Sequence, residues 1–259
     1  MLGSLTIVGT GIQFPNQMTL ESIDVIKNAE RVFFNVGEEQ DVIAWIKANN
    51  AHTFDLADLY GSGKDRRLSY AEMCAAMVTA VKEGYRTVGV LYGHPGVFAL
   101  PGYLAINQCR ELGAEAKMLP GVSAFDCMIA DLEFDPGTHG CTMLEASDYV
   151  FHRRTLDTSL PLIIWQPALI GVDSILKGVQ TAVQPRLDIL KARLLEDYPA
   201  THKIISYVAA TEPGKSARVE MTQIGSMETM RSLASSSTCL IPPLKDALTD
   251  MEYFSRLKK

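Results

Sequence analysis

The sequence lacks the features that mark secreted or membrane proteins. No apolar run approaches the roughly 20 residues of a membrane helix, and the start, MLGSLTIVGTG, has no basic segment or small-residue cleavage site typical of a signal peptide. The five cysteines are scattered, odd in number and never form a CxxC pair. We therefore expect small buried thiols, a reducing compartment and a cytoplasmic protein without a membrane partner. The cysteines are Cys74, Cys109, Cys127, Cys141 and Cys239.

A surplus of positive charge is also absent. The chain has 24 lysines and arginines against 30 aspartates and glutamates, a net charge of -6. Proteins that grip phosphate backbones usually carry a basic surplus or stripe, so a nucleic-acid partner is not expected. What is present is a chain of 259 residues, 47% hydrophobic. This is enough for one large α/β domain or two smaller ones, each with its own core.

The first 120 residues alternate between short β-branched runs and segments with helical periodicity. Thr19 stands at the N-cap position of the first predicted helix. This βα alternation predicts a mostly parallel sheet. The predicted strands are LTIVG, RVFFNV, TVGVLY and AEAKMLP, and the predicted helices are LESIDVIKNAE, DVIAWIKAN, YAEMCAAMVTAVKEG and the segment around YLAINQCRELG.

Beyond Pro120 and Gly121 the pattern changes. Short apolar runs alternate with helical segments such as PRLDILKARLLEDY, which predicts a second α/β unit with a mixed sheet. We place the units at 1–120 and 121–259, and expect DALTDMEYFSRL to form a terminal helix. The apolar runs are TMLEA, PLIIWQP, KIISYVA, MTQIG and STCLIPP.

Two glycine-containing motifs follow predicted strands of the first unit. VGTG, with Gly9 and Gly11, is not a dinucleotide fingerprint, because IQFPNQM separates it from the helix and no third glycine follows at the required place. By itself it indicates only a tight turn. LYGHPGVF is more specific, because its glycines let the backbone pass close to a flat or bulky group at the carboxyl edge of a parallel sheet, where ligands bind.

Two further residues have a plain structural interpretation beside a functional one. His94 has no second His, Cys, Asp or Glu at ligand spacing nearby, so no metal site is expected and a structural turn is the simpler interpretation. Ser123 in PGVSAF stands where a helix N-cap is expected, and its hydroxyl would also be able to reach a ligand lying across the two units.

VGTG, YGHPGVF and PGVSA together resemble the tetrapyrrole methylase superfamily of S-adenosylmethionine enzymes. Most members of that superfamily carry GDP where this chain has GHP. YGHPGVF, with Tyr60, Arg66 and Tyr70 upstream, is instead similar to the pattern of the borosin peptide backbone α-N-methyltransferases. The resemblance covers nearly the whole chain, is strongest from Leu5 to about Phe125, and includes WQPAL and CLIPP.

The resemblance implies two α/β units with an S-adenosylmethionine site in the cleft between them, and methyl transfer to backbone amides. An amide nitrogen is a poor nucleophile because its lone pair is delocalised, so its proton must leave first. Tyr70 or Tyr60 would take this proton, Arg66 would hold the developing charge, and Tyr92 would lie beside the methyl donor. We favour Tyr70 because a helix start stabilises negative charge.

The same resemblance implies the residues that hold the methyl donor. Gly9 would lie under it, and Ser123 and Gln166 would reach its polar ends. The donor would be lined by Tyr92, His94, Val97 and Phe98. Arg67 adjoins Arg66, so which of the two points inward stays open. This chain has Ala57 where some family members have a further tyrosine.

The substrate side departs from the fused borosin enzymes. After CLIPP only LKDALTDMEYFSRLKK follows, without an apolar core peptide. We therefore expect a split arrangement, in which the enzyme methylates several residues of a separate ribosomally made precursor peptide in succession. The resemblance also implies a homodimer, and a complex with two precursor chains.

Four alternatives remain open. A corrin or porphyrin methyltransferase would share the fold without needing the two tyrosines, and a ribosomal RNA 2′-O-methyltransferase would conflict with the acidic charge balance. A non-catalytic S-adenosylmethionine-binding protein would bind the donor without using it. Finally, Tyr60, Tyr70 and the charged residues between them would form only a solvated turn if the other motifs were coincidental.

Overall fold

The computed structural model describes residues 1–37, 39–173, 184–230 and 233–257, which form two compact units. The first unit comprises Met1–Leu132 with residues 172–173 and 209–216. The second comprises 133–171, 184–208 and the described residues from 217 onward. Within these described ranges, no helix is long and apolar enough to cross a membrane.

The first unit is built on a parallel sheet of five strands, in the order β3-β2-β4-β1-β5. This confirms the parallel sheet that the βα alternation predicts. The strands are β1 Ser4–Gly9, β2 Arg31–Asn35, β3 Thr53–Asp55, β4 Arg86–Leu91 and β5 Glu115–Met118. The helices are α1 Leu20–Lys27, α2 Gln40–Asn49, α3 Arg66–Lys82, α4 Leu100–Glu111 and α5 Ala124–Asp131.

Both faces of this sheet are covered. Successive side chains of a strand point to opposite faces. Along β1, Ile7 joins a buried cluster with Met77 of α3, and Val8 joins another with Ile26 of α1. Each fully buried aliphatic side chain contributes roughly 1.5–3 kcal/mol of transfer free energy. Core packing therefore occupies both faces of the sheet, and the strand ends are the places where site residues are expected.

Two local features of the first unit are the cap of α1 and the short strand β3. The predicted N-cap Thr19 is confirmed, since its side-chain oxygen accepts the Ser22 amide over 3.1 Å. Strand β3 was not predicted, because its three residues are too short to show an alternating pattern. Its Phe54 is partly exposed at the sheet edge and stacks on Phe33, with ring centroids 4.9 Å apart. A short 3-10 turn, Leu56–Leu59, follows β3 directly.

The first unit extends past the predicted boundary near residue 120 to Leu132. The reason lies in α5, whose Met128 is fully buried. Side-chain Nε2 of Gln17, in the loop after β1, lies 3.4 Å from Sγ of Cys127 on this helix. Helix α5 therefore packs with the residues that precede it.

The second unit has a mixed five-stranded sheet in the order β6-β7-β10-β8-β9, as predicted. Strands β6 and β7 are parallel, and the other neighbours are antiparallel. The strands are β6 Thr142–Glu145, β7 Leu162–Trp165, β8 Lys203–Val208, β9 Arg218–Gln223 and β10 Thr238–Ile241. The helices are α6 Pro136–His139, α7 Ala146–Phe151, α8 Gln184–Leu194 and the predicted terminal helix α9, Met251–Arg256.

Candidate active site

The carboxyl ends of the parallel strands carry most of the predicted site residues. Gly9 ends β1, Asn35 ends β2, and Tyr92 directly follows β4. Tyr60 directly follows the 3-10 turn after β3 and is its C-cap. Because these ends share one edge of the sheet, they form the position at which open α/β sheets bind ligands.

Tyr60 and Tyr70 meet edge to face. Their ring centroids are 6.4 Å apart and their planes are inclined by 71°. Both side chains are half-buried and pack against the cluster that contains Met73 and Leu56. Two tyrosines ten positions apart are thus brought together at the edge of the core.

The helix that carries Tyr70 begins earlier than the sequence pattern indicates. Asp65 is the N-cap of α3, and its Oδ1 accepts the amide of Arg67 over 2.8 Å. Tyr70 therefore lies one turn inside the helix rather than at its start. Since the helix dipole acts mainly within the first turn, it favours a negative charge on Tyr70 less than we expected.

Arg66 and Arg67 have different surroundings. Arg66 is half-buried, and its charge acts on the Tyr60 phenol. The Arg67 side chain is 87% exposed, with Nε 3.9 Å from Oδ1 of Asp65. The structure therefore answers the question that the doubled arginine left open, because Arg66 is the one on the side of the tyrosines.

Asn35 is a member of the site that the sequence patterns did not reveal. Its Nδ2 donates a hydrogen bond of 3.2 Å to Oη of Tyr60. Its main-chain oxygen accepts the amide of Tyr92 over 3.3 Å. A polar residue at the end of the buried strand RVFFN is the signal that would have identified it, since carboxyl ends of parallel strands line ligand sites.

Burial decides the protonation of the tyrosines. Desolvation raises the pKa of Tyr60 to about 12, and the neighbouring Tyr70 adds to this rise, whereas Asn35 and Arg66 act against it. Burial also raises the pKa of Tyr92, and nearby Glu39 adds to that effect. Both phenols are therefore neutral at pH 7 in the protein alone.

Lys64 closes the loop between the two tyrosines. Its Nζ donates to the main-chain oxygen of Leu59 over 2.8 Å and forms an ion pair with Glu72 of α3. The amide of Lys64 also donates to the oxygen of Gly61 over 3.1 Å. Lys64 thus contacts the chain before Tyr60, at Leu59, and after Tyr70, at Glu72. It is not part of a solvated charged turn.

Glycines allow the strand ends to approach each other. A β-carbon on Gly9 would lie 2.1 Å from the main-chain oxygen of Gly93. Gly93 also exchanges hydrogen bonds of 3.2 and 3.1 Å with Gly11. A β-carbon on Gly121 would lie 3.3 Å from the same Gly93 oxygen. Glycine is thus required at position 9 by backbone packing, and its predicted place under a methyl donor stays a prediction.

The loop after β4 presents the other predicted donor-binding residues. Nδ1 of His94 accepts the amide of Gly96 over 2.9 Å, which leaves Nε2 as the nitrogen available to a ligand. Val97 and Phe98 are 37% and 48% exposed. Phe98 also has a φ of 54°, a left-handed backbone that costs a non-glycine residue about 1–3 kcal/mol. Strain of this kind is commonly found at ligand sites.

Ser123 and Gln166 complete the predicted set. Ser123 is buried at the N-cap of α5, where its hydroxyl donates to Oδ2 of Asp126 over 2.6 Å in a capping box. The helix cap therefore already uses this hydroxyl. Gln166 lies in the second unit after β7, and its backbone is left-handed, with φ 55° and ψ 46°. The roles of both residues toward a donor stay predictions.

Among the residues that the structure describes, no group of three His, Cys, Asp or Glu side chains could hold a metal ion.

The fold and the sequence together identify the class of protein. Residues 4–223 match the family described as Tetrapyrrole (Corrin/Porphyrin) Methylases, and the chain belongs to that family. Two solved structures have the same fold. The match to the uroporphyrin-III C-methyltransferase of Thermus thermophilus covers 94% of this chain and 93% of that protein's chain, with a TM-score of 0.65 and 18% sequence identity. The match to a cobalt precorrin-4 methyltransferase covers 92% of this chain and 94% of that protein's chain, with a TM-score of 0.63 and 16% sequence identity.

Closer relatives are borosin-type proteins of fungi. A methyltransferase/ribosomally synthesized cyclic peptide precursor for gymnopeptides from Gymnopus fusipes is 38% identical over 257 residues, which are 96% of this chain and 60% of the relative. A type I borosin cyclic peptide precursor from Mycena rosella is 37% identical over 252 residues, 96% of this chain and 62% of the relative. The methyltransferase/ribosomally synthesized cyclic peptide precursor for omphalotin A from Omphalotus olearius is 36% identical over 260 residues. These residues are 99% of this chain and 61% of the relative.

This chain thus spans about 60% of the length of the relatives it matches. The names of these relatives combine a methyltransferase and a peptide precursor in one protein. The expectation that this chain acts on a separate precursor stays a prediction.

Proposed function

We propose that the protein uses S-adenosylmethionine to methylate backbone amide nitrogens of a ribosomally made precursor peptide. The observation that carries this proposal is the pairing of Tyr60 with Tyr70 at the carboxyl edge of the sheet, with Arg66 acting on the same phenol. A methyltransferase that acts on an already nucleophilic carbon of a corrin or porphyrin has no need of such a group. The borosin-type relatives support the same conclusion.

The residues of the first unit suit S-adenosylmethionine. Exposed Val97 and the strained, exposed Phe98 offer apolar surface at the strand ends, and Nε2 of His94 is a polar group beside them. When bound, S-adenosylmethionine supplies a methyl group on a sulfonium and keeps the S–C bonding electrons as S-adenosylhomocysteine. The chain provides alignment and excludes water, which together lower the barrier substantially.

The protein residues prepare the amide nitrogen. The Tyr60 or Tyr70 phenolate takes the N–H proton, and the electron pair of that bond delocalises over the amide before it forms the new N–CH₃ bond. Arg66 stabilises the negative charge on the amide oxygen. Because Tyr60 is neutral at pH 7, its own proton must first leave to solvent, and Arg66 also makes this ionisation easier.

The proposal includes a homodimer and successive methylation of several residues in a separate precursor chain. The similarity to proteins whose names include cyclic peptide precursors supports a precursor peptide as the substrate. The homodimer and the successive methylation follow from the resemblance to borosin enzymes, and the separate precursor follows from the lack of an apolar core peptide after CLIPP. Supplying the peptide as a separate chain in the assay tests this part directly.

The experiment that tests the function is intact-mass spectrometry with fragmentation. The enzyme is incubated with S-adenosylmethionine and a synthetic peptide of apolar C-terminus, taken from a reading frame beside its own gene. We expect methyl increments on backbone nitrogens, which disappear in Tyr60→Phe or Tyr70→Phe while S-adenosylhomocysteine binding persists. Methylation of a tetrapyrrole or RNA without any peptide methylation would show that the proposal is wrong, and donor binding without turnover by any acceptor would show a non-catalytic protein.

A further inference from the structure

Asn35 contacts two of the site tyrosines through different groups. Its side-chain Nδ2 donates to Oη of Tyr60 over 3.2 Å, and its main-chain oxygen accepts the Tyr92 amide over 3.3 Å. We propose that Asn35 is a positioning residue, whose Nδ2–H orients the Tyr60 phenol and stabilises the phenolate that takes the amide proton. This inference rests on the proposed function and selects Tyr60 as the proton acceptor of the pair.

The direction of the hydrogen bond carries the argument. A phenol has a single hydrogen, and a neutral Tyr60 that accepts from Asn35 keeps this hydrogen for another partner. When the hydrogen leaves, the oxygen still accepts from Nδ2, and the bond becomes charge-assisted and roughly twice as strong. The contact therefore favours the ionised form. An asparagine that accepted the phenol hydrogen would have the opposite effect.

The other groups that face the phenol come from α3. Burial and, after it, Tyr70 raise the pKa of Tyr60 to about 12, whereas the Arg66 guanidinium favours the phenolate. Asn35 acts in the same direction as Arg66 but from a different element, β2. The Asn35 hydrogen bond and the Arg66 charge thus oppose the cost of ionising a half-buried phenol.

The position of Asn35 suits a precise contact. Strand β2 is paired with β3 and β4, and its Phe34 is buried in the core. Nδ2 of Asn35 also lies 3.9 Å from Sδ of Met73 on α3. Sites built on strands are held more precisely than sites on loops. The Asn35 amide therefore has a fixed place before any substrate binds.

A substrate-free titration tests this contact independently of the proposed function. Tyrosinate absorbance is followed against pH in the wild type, Asn35→Leu and Asn35→Asp, each with a Tyr60→Phe partner whose curve is subtracted. We expect the Tyr60 pKa to rise in Asn35→Leu and to rise further in Asn35→Asp, whose carboxylate repels the phenolate. The matched control is Asn49→Leu, which removes an asparagine whose Nδ2 donates to the main-chain oxygen of Trp45, and it should leave the Tyr60 pKa unchanged. Thermal unfolding of each variant checks that it is folded.

The kinetic test then connects the contact to catalysis. In Asn35→Leu we expect kcat for peptide methylation to fall about tenfold or more, as for loss of a hydrogen bond to a charged group. Raising the pH should recover part of this loss, and the Kd for S-adenosylhomocysteine should not change.

Each outcome separates the two proposals. An unchanged or lowered Tyr60 pKa in both Asn35 variants overturns the role of Asn35, whatever the enzyme methylates. A raised pKa with an unchanged kcat for peptide also overturns it. A raised pKa in a protein that methylates no peptide supports the stabilising contact and shows that the proposed function is wrong.

Discussion

The main-chain oxygen of Gly93 occupies the place where Gly9 would carry a side chain. A β-carbon there would approach this oxygen to 2.1 Å, and it would lie 2.8 Å from Cδ of Pro95. The ends of β1 and β4 are therefore joined by direct backbone contact. This contact holds the loop that carries Tyr92 and Phe98.

Gly9→Ala should therefore be costly. The loop after β4 must move, so we expect the free energy of unfolding to fall by about 1–3 kcal/mol, as in overpacked cores, together with weaker S-adenosylhomocysteine binding. Urea unfolding and calorimetry measure these effects. The control is Gly61→Ala, because a β-carbon there meets nothing closer than 3.6 Å. Equal stability of the two variants would contradict the prediction.

Arg66 and Arg67 provide a matched pair of variants. Arg66→Gln should lower kcat for methyl transfer by about 10²-fold or more, the usual effect of removing a charge-stabilising donor. Arg67→Gln removes the same charge from a side chain that is 87% exposed, and kcat should stay close to that of the wild type. Steady-state kinetics with peptide measures both. A similar loss in both variants would mean that only overall charge matters.

The raised pKa of Tyr60 predicts a pH dependence of stability. The unfolded chain ionises this phenol near its ordinary value of 10, whereas the folded protein holds the proton to about 12. The contribution of this phenol to the free energy of unfolding should therefore be constant below pH 10. It should be lost progressively as the pH rises from 10 to 12. Chemical unfolding across this window should show a smaller loss for Tyr60→Phe than for the wild type. Parallel curves for the two proteins would exclude the raised pKa.

At Phe98, a glycine variant should be more stable than an alanine variant, which is the reverse of the usual order. Because its φ is 54°, Phe98→Gly relieves strain that Phe98→Ala retains, so we expect the glycine variant to be more stable by about 1 kcal/mol. Both variants should bind S-adenosylhomocysteine more weakly, because both lose the ring. At neighbouring Val97, which has no left-handed backbone, the alanine variant should be the more stable one. Unfolding curves and calorimetry measure the two effects separately.

The sequence was informative where local patterns decide the structure. The β-branched runs of β1, β2 and β4 and the glycine turns after them identify the parallel sheet, and the sharing of one edge by strand ends follows from that topology. Strand β3 could not be predicted from the sequence, because three residues are too few to show a periodic pattern. It is a strand through its pairing with β2, in which Phe54 lies opposite Phe33 and stacks on it.

The contacts within the site depend on register and helix phase, which no local pattern contains. Asn35 meets Tyr92 because β2 pairs with β4 so that Asn35 lies opposite Leu91. Neighbouring helical residues point about 100° apart, so the choice between Arg66 and Arg67 depends on where α3 begins. The Asp65 cap sets that start at Arg66, four residues before the helical pattern becomes evident at Tyr70.

The contacts of Lys64 determine when the loop between the two tyrosines becomes ordered. By linking Leu59 to Glu72, it holds the chain on both sides of the tyrosine pair in the free protein. The ordering entropy of this segment is thus lost during folding and not during peptide capture. Under the proposed function, a flexible peptide would therefore bind to a loop whose conformation is already set in the free protein.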